Sequence, residues 1–167
     1  MKRNLTGCGI LLMLCSVMLF AQVKRDPRIG TWRISLEKSQ LPSNTLPPKM
    51  QVRRYEARSD GFTVMSQAGL DGQGNPTFNQ VTFKADGLDY ANYTVATLTD
   101  LSLTGAKPNT IAYKAVDNFI MELTVKDGAG KVTGLQTQVV ATDGKTLTVT
   151  STDPLGKVLS VTVFDKQ

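Results

Sequence analysis

The 167-residue chain has no histidine, and its only two cysteines, Cys8 and Cys15, lie in the leading apolar stretch. Without imidazole, the serine–histidine and cysteine–histidine nucleophile systems are excluded, and so are the usual zinc sites. With no thiol beyond residue 15, the rest of the chain cannot be stapled by a disulfide, even in a compartment that permits one. Stability must then come from a packed core. There is a single tryptophan, Trp32, and no long segment carries helical periodicity. No metal ligand set and no cofactor motif is present, so neither a metal nor a cofactor is expected.

What is there begins with a leader. Lys2 and Arg3 precede an apolar run from Ile10 to Phe20, and Ala21 is a small residue suited to cleavage. Residues 1–21 therefore read as an export signal, with a retained anchor or a lipidated cysteine as alternatives. The expected location is the periplasm or the exterior, with no membrane insertion once the signal is removed. Residues 22–29 read as a loose arm, and 30–167 as one domain long enough for a real core. Two of the 19 basic residues leave with the signal, against 14 acidic ones in the chain. The basic excess that remains is small and scattered, so nucleic acid is not an expected partner.

Gly30-Thr31-Trp32-Arg33-Ile34-Ser35-Leu36 opens the domain as an alternating strand, with Trp32, Ile34 and Leu36 on one face. A loop at 38–49 follows, because Pro42, Pro47 and Pro48 cannot sit in a ladder. After it come strands at 50–58, 62–68, 77–85, 110–116, 119–126, 131–141, 145–152 and 157–165. Asp60-Gly61, Asp71-Gly72, Asp86-Gly87, Asp127-Gly128 and Asp143-Gly144 punctuate them, supplying the positive backbone angles that hairpins need. Asp153-Pro154-Leu155-Gly156 makes a four-residue turn. Within 91–109, Tyr93, Val95, Leu101 and Leu103 could supply one more strand. Hairpin-linked strands must close or leave raw edges. The expected fold is all-β, an up-and-down antiparallel barrel of about eight to ten strands, with a two-sheet sandwich as the alternative.

Gly30, Thr31 and Trp32 at the head of the first strand, the proline-bearing loop, and the late run Asp143 to Thr150 together resemble short exported bacterial lipocalin-like proteins of the calycin group. The resemblance spans about residues 29–166 in layout. It implies that Gly30 and Trp32 close one end of the barrel, with a basic side chain of the last strand lying across the indole. Lys157 and Lys166 flank that strand here, where the family usually has arginine.

Local motifs add no chemistry. Ser35-Leu36-Glu37-Lys38 has the spacing of an acyl-enzyme string but lies on a strand rather than at a helix start. Asp71-Gly72-Gln73-Gly74-Asn75 opens like a calcium loop, yet Pro76 replaces the turn glycine and no closing glutamate follows. Gly128 to Lys131 lacks phosphate-loop spacing. Candidate pocket residues are Arg54, Tyr55, Glu56, Phe62, Phe83, Tyr113, Phe119 and Glu122. Arg54 and Glu56 would share one face of their strand, Arg53, Tyr55 and Ala57 the other. The expected function is binding of a small apolar or amphipathic ligand by a protein that is not an enzyme. A solid-core interaction module is the alternative, and a histidine-free isomerase or cyclase acting through Glu56, Glu122 or a tyrosine is the third.

Overall fold

The computed structural model describes residues 26–94, 105 and 107–167. Ten strands run in chain order: β1 (Gly30–Gln40), β2 (Met50–Ala57), β3 (Thr63–Leu70), β4 (Pro76–Phe83), β5 (Asp86–Thr94), β6 (Thr110–Ala115), β7 (Ile120–Lys126), β8 (Val132–Val140), β9 (Thr146–Thr152) and β10 (Val158–Lys166). Each is antiparallel to its sequence neighbours, and β10 returns to β1. The sheet is thus a closed up-and-down barrel rather than a sandwich. Closure removes the edges that ten hairpin-linked strands would otherwise expose.

Alternation builds the interior. Trp32, Tyr55, Met65, Val81, Phe83, Tyr113, Met121, Leu123, Val140, Leu147 and Phe164 are all buried and form one core cluster. Neighbouring strands present these residues in register, for example Tyr55 beside Met65 and Met65 beside Val81. Side chains directly opposite on adjacent strands share a face, so the apolar set lines the inside.

Four expectations change. Leu36 is 43% exposed while Ser35 is buried, because the β1–β10 register slips between Ser35 and Gln40 and turns the alternation over. The Ser39 hydroxyl accepts the Val163 N–H at 2.9 Å within this irregularity. Asp86-Gly87 is not the hairpin turn but the start of β5. Gly87 takes a φ of 81°, and the β5–β6 register shifts between Asp86 and Asp89, so the glycine serves a bulge. The strand sought in 91–109 is therefore this one, ending at Thr94, while Val95, Leu101 and Leu103 lie outside the described residues. Of the arm, residues 26–29 are described, and they pack against the barrel: Arg28 is only 4% exposed, and Ile29 N–H donates to the Asp26 carbonyl at 3.1 Å. The leader, residues 1–21, lies outside the described residues.

Candidate ligand site inside the barrel

Gly30 and Trp32 sit at one end of the barrel. Trp32 is fully buried, and its indole Nε1 donates to the Arg28 carbonyl at 2.7 Å. Lys166 is its cross-strand partner. The ammonium lies 4.8 Å from the indole centroid and also donates to the Pro27 carbonyl at 3.0 Å. One cation therefore holds the stopper from above and ties it to the incoming chain. Gly30 is placed beside it at φ 132°, where an added Cβ would meet the Lys166 side chain.

The polar part of the interior is built on β2. Arg53 is Trp32's partner on that side, and the barrel's closure turns Arg53 and Tyr55 inward. Arg54 and Glu56 stand on the outer wall, where they pair with each other at 2.7 Å with more than half of Arg54's side chain exposed. They do not reach the lumen. Glu122 likewise faces out, in register with Lys114 and Thr137. Among the candidate residues, Tyr55, Phe83 and Tyr113 meet inside, Phe83 and Tyr113 stacking with centroids 3.6 Å apart. Phe119 is half-buried against the core. Phe62 packs edge-on to Tyr90 at 6.1 Å, under the Lys84 ammonium. An acid–base role for Glu56 or Glu122 in a closed cavity has no support in these positions.

Arg53 is the residue that sequence reasoning left undecided. It is 8% exposed. Its Nε and Nη2 donate to Gln67 Oε1 at 2.8 and 2.6 Å, and its Nη1 reaches Tyr55 OH at 3.4 Å. The guanidinium also lies over the Phe164 ring at 4.9 Å. Among the described residues no carboxylate pairs with it, and none is buried. Tyr55 in turn donates to Gln138 Oε1 at 2.9 Å. Gln138 sits on β8, so this bond crosses the lumen. The phenol of Tyr113 faces the same region: burial, then the nearby Tyr55, push its proton affinity far up, and the Arg53 charge pulls it partly back. It stays protonated at any working pH. Its hydroxyl has no partner in the protein, and neither do Asn79 Oδ1 and Asn92 Oδ1.

The barrel superposes on a known one. A solved structure described as the wild-type fluorescent protein UnaG matches with a TM-score of 0.57 and 16% identity, covering 83% of this chain and 96% of that one. UnaG and this chain share a fold at a sequence distance where nothing else carries over. No protein-family model and no curated protein matches the sequence.

Among the described residues, hollows of about 290–360 Å³ lie between neighbouring strands or around the rim. The largest opens where β1 and β2 part beyond Arg33 and Val52, beside Leu36, Lys49 and Met50. None of their linings includes Arg53, Tyr113 or Asn92. Among the described residues no cluster of carboxylates suited to a metal ion occurs, and no helix is long and apolar enough to cross a membrane.

Proposed function

We propose that this protein is an exported, lipocalin-like binding protein that takes up a small amphipathic molecule, its apolar body among the core side chains and its anionic group at Arg53. The carrying observation is the buried guanidinium without a carboxylate partner. A buried cation is costly unless it is neutralised, and a charge-assisted bond to an anionic group is what the site lacks. Tyr113, held protonated, adds a donor on the same side. A closed up-and-down barrel, the fold shared with UnaG, is an architecture that can hold one small ligand.

The test uses the full chain and three probes of equal length: dodecanoate, dodecanol and dodecylamine. Calorimetric titration should show the acid binding at least ~10-fold more tightly than the alcohol, with the amine excluded. Arg53→Met should erase the preference while the fold persists by circular dichroism. Binding of none of the three would point instead to a filled barrel acting through its surface.

A further inference from the structure

Two of the unpaired polar atoms, Asn79 Oδ1 and Asn92 Oδ1, belong to neighbouring residues. Following the register from the stopper, Trp32 stands beside Arg53, Arg53 beside Gln67, Gln67 beside Asn79 and Asn79 beside Thr94. The adjacent row runs Tyr55, Met65, Val81, Asn92. Asn79 and Asn92 are therefore diagonal neighbours on the inner face of β4 and β5, two and three strands from Arg53. Each leaves a side-chain oxygen buried and without a partner, and Asn92 is only 9% exposed.

A buried acceptor with no donor is destabilising, and native chains rarely keep one. Leucine would fit a barrel wall at either position at lower cost. Two such residues at diagonal positions, with Gln67 already committed to Arg53, make a second polar station distinct from the cation. A ligand group that donates a hydrogen bond would satisfy it.

Building on the anionic-ligand reading above, we propose that the ligand is an organic acid that also carries a hydroxyl or N–H group on the flank facing β4 and β5, and that Asn79 and Asn92 recognise that group. Two inter-strand steps separate Arg53 from Asn79, about 9–10 Å along the wall. The donor then belongs roughly six to nine carbons from the carboxylate of a linear acid. A plain fatty acid would fill the barrel yet leave both amides as they are. A site with unpaired polar groups discriminates strongly for the ligand that pairs them.

Matched acids decide the point on the unaltered chain: dodecanoate, a dodecanoate hydroxylated between carbons 7 and 10, and the corresponding oxo acid, which can only accept. The hydroxy acid should bind at least ~10-fold more tightly than either. In Asn92→Leu and Asn79→Leu the ratio of hydroxy-acid to dodecanoate affinity should fall to about one. Equal affinity for all three acids would overturn this inference and leave the anion site standing. Tighter binding of the oxo acid would overturn it as well, since the station would then be a donor. Failure of every acid to bind would sink the anionic-ligand reading itself, and this inference with it.

Discussion

Tyr55 and Gln138 are 83 residues apart in sequence and joined by a 2.9 Å hydrogen bond across the lumen. Both side chains are buried, and the bond links strands on opposite walls, β2 and β8. Tyr55→Phe removes the donor and strands the Gln138 oxygen in an apolar setting, so unfolding in urea should reveal a loss of about 1–3 kcal/mol. Replacing both residues, as Tyr55→Phe with Gln138→Leu, should cost less than the two single losses added together. Strict additivity would mean the crossing bond contributes nothing.

Trp32→Ala should lower stability by about 3–5 kcal/mol, because a fully buried indole leaves a cavity and an unpaired Arg28 carbonyl behind. Lys166→Met keeps the aliphatic cover but removes the cation, and should cost only about 0.5–1 kcal/mol. Thermal denaturation of the two variants side by side separates packing from charge at the stopper.

Acid should weaken the barrel through its turns. Asp71 is held below the ordinary aspartate range, first by the Asn75 side chain and then by the backbone N–H groups of Asn75, Gly74 and Gln73. The backbone N–H groups of Phe62 and Leu88 do the same for Asp60 and Asp86. A carboxyl that binds its proton less readily when folded stabilises the fold above the ordinary range, and that contribution fades as pH falls through the lowered value. Urea midpoints should therefore drop progressively below about pH 4. Asp71→Asn should start lower at neutral pH and show a shallower fall.

Gly69 and Gly72 are places of close approach. A methyl on Gly69 would overlap the Met50 carbonyl, and one on Gly72 would run into Leu46. The loop between β1 and β2 lies against the β3–β4 turn here, with Lys49 donating to the Leu70 carbonyl at 3.0 Å and to the Gln73 carbonyl at 3.3 Å. Gly69→Ala must push backbone against backbone and should cost about 1–3 kcal/mol. Gly134→Ala, whose nearest neighbour is 3.3 Å away, should cost less. Both are readable from chemical denaturation.

Strand order and closure could be read from the alternation of residues such as Met121, Leu123 and Val125 and from the Asp-Gly turns, because hairpins are local. The stopper was an implication of the resemblance carried by Gly30 and Trp32 and not of the alternation, which turns over at Ser35 and Leu36. The polar site was not legible. Arg53, Arg54, Tyr55 and Glu56 put one guanidinium on each face, so periodicity cannot say which of the two enters; the register with Trp32 and Met65 decides it. Gln67, Asn79, Asn92 and Gln138 resemble ordinary surface amides on their strands. Only the cross-strand rows, which depend on contacts far apart in sequence, put them beside the arginine. Asp86-Gly87 misled because a bulge and a turn ask for the same backbone angles.

The Gln167 N–H donates to the Thr31 carbonyl at 2.9 Å, so the last residue and the first strand meet at the plugged base. The described chain therefore starts and finishes at one end of the barrel, opposite the rim that carries the β3–β4 and β7–β8 turns. One pin at that end, the Lys166 ammonium over Trp32 and on the Pro27 carbonyl, thus fastens both the entry and the exit of the strand circuit.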